Sequence, residues 1–200
     1  MKYQRVLFLI PVLLLALYLL FPAQGLSQVK PAKTPPPGNE VKQYDFEKSG
    51  FSVTVPVKSW KIEKDTDDSS SLELTLTGKG IVVQILSFQK TMATVPELIK
   101  ELNRTFKKNF SGDGAQDYAM QSQKDWRAGA LAGKRVIARF LQGKEVFFND
   151  QIYAEGDDRV VVFTLIAKKP LYDAAKKDFE KMAGSLIMKE PAMPGSLPGE

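Results

Sequence analysis

The chain has 200 residues, enough for one domain, and its 44% apolar and 26% charged residues are the balance of a globular protein, not of disorder. It contains no cysteine and no histidine, which excludes disulfides, thiolate nucleophiles, Ser-His-Asp triads and the common zinc sites. The net charge is +5, but residues 1–25 hold two of the 28 basic residues and none of the 23 acidic ones; the remaining +3 is too small a surplus to argue for nucleic acid.

The chain opens "MKYQRVLFLIPVLLLALYLLFPAQG". Lys2 and Arg5 form a positive n-region, Val6 to Phe21 is an apolar run, and Ala23 and Gly25 put small residues at −3 and −1 of a cleavage site. This is the pattern of a secretory signal peptide over residues 1–25. A helix over 6–21 would span about 24 Å, short of the ~30 Å hydrocarbon core, and Pro11 also suits a cleaved leader. The alternative keeps residues 6–21 as an inner-membrane anchor. No cysteine follows the run, so a lipoprotein anchor is excluded. Export without cysteine points to a bacterial envelope protein, periplasmic or secreted.

Residues 26–42, with Pro31 and Pro35-Pro36-Pro37-Gly38, lack apolar periodicity and read as an extended linker. The folded block is expected over 43–188, and residues 189–200, with Pro191, Pro194 and Pro198, form a disordered tail. "GFSVTVP" (50–56) alternates, with Phe51, Val53 and Val55 on one face, and Pro56 ends the strand. "SLELTLT" (71–77) alternates likewise. Gly78-Lys79-Gly80 turns it into "IVVQILSF" (81–88), apolar on both faces and so internal to a sheet. The period then changes. Val95, Leu98, Ile99, Leu102, Phe106 and Phe110 fall at helical spacing, with Thr94 and Glu97 as a capping box and Pro96 in the first turn. "SGDG" (111–114) ends this helix. Strands are expected at 117–126, 134–141, 145–154 and 159–167. Gly143-Lys144 and "EGDDR" (155–159) mark tight turns, and "RVVVFTLIA" is central. Pro170 opens a second helix, with Leu171, Ala175, Phe179, Met182 and Leu186 on one face. Strands, helix, strands, helix predict an α+β domain: a central antiparallel sheet of six to seven strands with two main helices packed on it.

Both ends of the block resemble the PsbP-like and DcrB-like extracytoplasmic domains. "GFSVTVPVKSW" has the aromatic-led strand, the terminating proline and the tryptophan that follows. "DDRVVVFTLIA" has the hairpin and strand before a helix with a tyrosine near its start, here Tyr172, and a Ser-Leu near its end, here Ser185-Leu186. The resemblance covers residues ~44–188 and implies an α/β/α-like sandwich on a central antiparallel sheet. It includes photosystem II extrinsic subunits, Ran-GTPase-binding proteins and bacterial envelope proteins. Metal contacts in photosynthetic members use histidine in part; none exists here, so no metal or other cofactor is carried over.

Trp60 follows the strand terminator by a short loop and reads as a core plug, and Trp126 is expected to be buried as well. The sharpest polar constellation is Arg135, Arg139 and Asp150. A two-residue turn at Gly143-Lys144 pairs residues that sum to 287, so Ile137 faces Asp150 and the two arginines lie diagonally to either side, about 7–8 Å away. Two readings stay open: an anion-binding or partner-recognition patch, whose fold should survive charge reversal of both arginines, or a structural ion-pair cluster on a solvated face. "DTDDSS" (65–70) and Asp157-Asp158 lack calcium-loop spacing and read as turns. Lys100, Arg104, Lys107 and Lys108 on the first helix and Lys176, Lys177 and Lys181 on the second form basic strips interleaved with Glu97 and Glu101, a weak site for membrane contact at most. "RAGALAGKR" (127–135) reads as a hairpin connection and not a phosphate loop. The sequons at Asn103 and Asn109 lie on a helix and read as coincidence. No spacing fixes two carboxylates on a common wall, so carboxylate-dependent catalysis is the weakest of the functional readings. The expectation is a non-enzymatic accessory or binding protein of the envelope, without catalytic residues, cofactor or nucleic acid, that acts on an envelope protein partner.

Overall fold

The computed structural model describes residues 41–189, apart from 47–49, 57–59, 68–71, 79 and 110–114. The leader, most of the linker and the tail from residue 190 lie outside the described residues. In chain order the elements are β1 (Val41–Phe46), β2 (Phe51–Pro56), β3 (Lys61–Asp67), β4 (Leu72–Gly78), β5 (Ile81–Gln89), α1 (Val95–Asn109), β6 (Ala115–Ala128), β7 (Leu131–Gln142), β8 (Glu145–Glu155), β9 (Arg159–Lys168), α2 (Lys169–Gly184) and β10 (Ile187–Met188). The central sheet has seven antiparallel strands in the order β3-β4-β5-β9-β8-β7-β6, and a smaller sheet runs β1-β2-β10. The fold is α+β, as expected.

β9 is central because it has no polar face to offer water. Val161, Phe163, Leu165 and Ala167 enter one core with Ala175, Phe179 and Met182 of α2, while Val160, Val162 and Ile166 enter another with Leu98, Leu102 and Phe106 of α1. Each helix therefore seals one face of the same strand. A buried side chain such as Phe179 stabilises this arrangement by roughly 1.5–3 kcal/mol.

α1 begins where the capping box lies, but the box closes from one side. The Glu97 carboxylate accepts from the backbone N–H and the hydroxyl of Thr94, both at 2.8 Å, so the hydroxyl donates to the carboxylate instead of capping the helix itself. Pro170 lies in the first turn of α2, where its missing N–H costs no helical bond. The other end of α2 is tied to the small sheet by Ser185. Its hydroxyl donates to the Met182 carbonyl at 2.7 Å and accepts from the Thr54 backbone N–H at 2.8 Å. Ser185→Ala leaves that N–H without its acceptor, and we expect a loss of about 1–2 kcal/mol in urea unfolding. An unchanged midpoint would show that the contact contributes nothing.

The expected boundaries need four corrections. β2 belongs not to the central sheet but to the small one, where Phe51, Val53 and Val55 join the α2-side core. β1 already begins at Val41, and β10 completes the sheet through Lys189 N–H to the Gly50 carbonyl at 2.8 Å. β3 is a further strand, and it takes in Asp65–Asp67 of the acidic stretch read as a turn; residues 68–70 lie outside the described set. As a sheet edge it pairs on one side only, so its charges do not oppose strand formation. Finally, most of residues 127–135 is strand, and only Gly129-Ala130 turns. Small residues are required there by close approach. A Cβ on Gly133 would lie 1.9 Å from the Tyr153 carbonyl oxygen, and Gly129 (φ +60) would meet the Leu186 carbonyl at 2.6 Å.

Trp60 is buried in the α2-side core among Phe51, Val53 and Val55, which answers for it as packing. Trp126 is half-buried at the margin of the same core.

Candidate functional site

The β7–β8 hairpin turns at Gly143-Lys144 with Gln142 opposite Glu145, so Ile137 pairs with Asp150, Arg135 with Ile152 and Arg139 with Phe148. Arg135 and Asp150 thus stand diagonally on the face that α2 covers. They are 1% and 0% exposed. The guanidinium grips the carboxylate with two parallel bonds, Nε to Oδ1 at 2.8 Å and Nη2 to Oδ2 at 2.5 Å. α2 supplies the rest: the Tyr172 hydroxyl donates to Asp150 Oδ2 at 2.8 Å, and Glu180 accepts from Arg135 Nη1 at 2.7 Å. Below, the Arg135 guanidinium lies 4.6 Å from the centre of the Trp126 ring, and Phe148 stacks on Tyr172 at 4.8 Å.

The expected solvated face therefore fails for two of its three residues. Arg135 and Asp150 are interior, and both carboxylate oxygens are occupied. Arg139 takes no part: its Nε is buried with no hydrogen-bond partner, while the side chain is half-exposed at the hairpin. Tyr172 and Glu180 escaped the sequence reading of this cluster. The signal that was available is their spacing of eight, which puts both on one flank of a helix.

Burial works against the Arg135 cation, but the Asp150 and Glu180 carboxylates outweigh it and hold its pKa above the ordinary arginine value. Burial, and then the Asp150 charge, push the Tyr172 hydroxyl up from the ordinary tyrosine value, so it stays a donor. A carboxylate saturated with donors and a phenol that keeps its proton make a clamp between helix and sheet. Neither is set up to accept a proton from a substrate.

On the opposite face a second polar group is enclosed. Gln84, Asn149, Gln151 and Thr164 are all buried there. Tyr153 donates to Gln151 Oε1 at 2.8 Å, and Tyr118 donates to Asn103 Oδ1 at 2.8 Å. Asn103, read as part of a sequon, is thereby a structural residue, and its amide also donates to the Ile99 carbonyl at 2.8 Å. Nearby, Val95, Pro96 and Ile99 of α1 and Ala132 and Gly133 of β7 line a groove of about 410 Å³, whose rim carries the Asp125–Lys134 ion pair. Among the described residues, no three acidic side chains come together as a cation site. In the β8–β9 turn, the Arg159 guanidinium holds the Asp158 carboxyl below its usual range. Among the described residues, no helix is long and apolar enough to cross a membrane; the leader lies outside them.

Seven antiparallel strands sealed by one helix on each face, with a small sheet packed beside α2, make this a domain of the PsbP-like fold. It is similar to the solution structure of cyanobacterial PsbP (CyanoP) from Synechocystis sp. PCC 6803, at a TM-score of 0.58 and 13% identity over 78% of this chain and 98% of that one. A crystal structure from Bacteroides thetaiotaomicron VPI-5482 is similar at a TM-score of 0.50 and 13% identity, over 74% of this chain and 48% of that one, so this chain spans about half of that protein. No protein-family model matches the sequence, and no curated protein matches it. At this identity the likeness is one of fold, and function has to be argued from residues.

Proposed function

We propose that the chain is an exported accessory or binding protein of the bacterial cell envelope, which performs no chemistry of its own and acts by surface contact with an envelope protein. The observation that carries this is a pairing. A leader with Lys2, Arg5, the apolar run 6–21 and Ala23-Gln24-Gly25 precedes a domain that spans nearly all of cyanobacterial PsbP in fold. The chemistry of the clamp supports the same reading. Among the described residues Asp150 is the carboxylate most enclosed by the fold, and its oxygens are committed to Arg135 and Tyr172.

Export is tested by sequencing the N-terminus of protein released from producing cells by osmotic shock. The first residue is expected at Leu26 or within one or two positions of it. Chains that still begin at Met1 and stay in washed membranes would replace this reading with the anchored form.

A further inference from the structure

α2 crosses the sheet over β8 and β9 and leaves part of β6 and β7 open on the same face. Directly paired residues share a face, so Ser122 with Ile137, Lys124 with Arg135 and Ala119 with Arg139 define this strip. Lys124 is exposed; Ser122, Ile137 and Arg139 are half-buried. Its charge is lopsided. Arg135 is more than neutralised, since Asp150 and Glu180 leave that cluster one net negative charge, but Lys124, Arg139 and Lys176 outnumber it, and among the described residues neither Arg139 nor Lys124 has an acidic partner; Lys124 lies 5.5 Å from the Trp126 ring centre. Lys176, half-buried, falls four residues from both Tyr172 and Glu180, so it stands on the flank of α2 that borders the strip.

We propose that this strip binds an acidic, extended segment of a partner protein, with Arg139 and Lys124 as its carboxylate contacts, Ser122 and Ile137 between them and the Trp126 edge beyond Lys124. This deepens the surface-contact reading above and rests on it. Arg139 is the anchor, because its Nε is already buried without a partner. Folding has taken water from this one nitrogen without supplying an acceptor, while the rest of the half-exposed side chain stays within reach, so an incoming carboxylate meets a donor that is already partly desolvated. Lys124 stands opposite Arg135, four residues along β7 from Arg139. At ~3.3 Å per residue that is about 13 Å, the distance between residues i and i+4 on one face of an extended chain. A membrane surface or nucleic acid would call for a broad basic field, which a net surplus of a few charges does not provide.

The probe is a fluorescein-labelled peptide of alternating glutamate and threonine, about ten residues long, titrated into the purified full chain and followed by amide chemical shifts. Perturbations are expected at Ser122, Lys124, Ile137 and Arg139. Lys124→Gln with Arg139→Gln should weaken binding about tenfold, the effect of one exposed and one half-buried charge-assisted contact. Lys100→Gln with Lys108→Gln removes the same charge from α1 and should change affinity less than about twofold. If the strip variant fails to fold, Lys124→Gln alone, at an exposed and unpaired position, is read instead with about threefold weakening. Equal losses from both pairs, shifts centred on α1, no binding, or tighter binding of anionic phospholipid vesicles at the same residues would each overturn the proposal. The export test is independent: a chain that begins at Met1 leaves this result standing, and failure here leaves export standing.

Discussion

Arg135→Met is expected to cost about 3–5 kcal/mol of folding stability, because it strips a fully enclosed carboxylate of its counter-charge. In a domain of this size that is a fall of roughly 10 °C in Tm. After the substitution, Asp150 keeps only the Tyr172 hydroxyl as a donor, and Glu180 loses its partner while it remains near water. The penalty is then the cost of a buried, unpaired charge, larger than the net worth of the pair. A second substitution separates these quantities. Asp150→Leu in the Arg135→Met background removes the orphaned charge and should recover at least half of the loss, since replacing both members of a buried pair with apolar groups is often close to neutral. A single variant within about 1 kcal/mol of the parent in urea unfolding would show that water reaches the pair and that the burial argument is wrong.

Half of this cluster was legible in the sequence, for a physical reason. A two-residue turn at Gly143-Lys144 leaves one register, and the register dictates that Arg135 and Asp150 meet across the hairpin. What the turn cannot dictate is the layer above. Whether Asp150 faces water or a helix depends on where α2 docks, and that is set by Ala175, Phe179 and Met182 entering the core. Once α2 is in place, Tyr172 and Glu180 close the cluster, and Arg139, four residues further along β7 than Arg135, is left outside it. The symmetry of the two arginines in sequence is thus broken by packing. The same limit explains β3. Its residues KIEKDTD show no apolar alternation because an edge strand is held by backbone pairing to β4, and a pattern search for a buried face passes over it. By contrast, α1 and β9 were read closely, since each must bury a continuous apolar surface and the period of that surface is written in its own residues. Gln84, Asn149 and Gln151 sat inside apolar-looking strands, and nothing local announced that their amides would be enclosed together.

Stability is expected to fall steeply above about pH 10, by roughly 4 kcal/mol per pH unit once the effect is fully developed. Three phenols drive this. Burial holds Tyr118 above its ordinary range; Tyr153, fully enclosed, is raised by burial and by its proximity to Tyr118; Tyr172 is raised by burial and by the Asp150 carboxylate. In the unfolded chain each ionises near the ordinary tyrosine value of ~10, whereas in the folded chain each keeps its proton well past that point. The sign follows from proton counting. Below about pH 10 both states hold all three protons and the stability is intact. Above it the unfolded chain sheds protons that the native one retains, so alkali favours unfolding until the native phenols themselves ionise. Each retained proton is worth about 1.4 kcal/mol per pH unit, and three give the slope stated. Against a domain stability of ~5–15 kcal/mol, that is enough to unfold the chain within a few pH units. Urea midpoints at about pH 9, 10 and 11, with tyrosinate absorbance recorded on the same samples, measure the slope and the ionisation together. Tyr153→Phe should reduce the slope by about one third, because it removes one of the three protons, at the cost of its bond to Gln151. A stability that stays flat across that range, or native phenols that titrate at the ordinary value, would mean that alkali reaches these side chains and that the two cores are not closed around them.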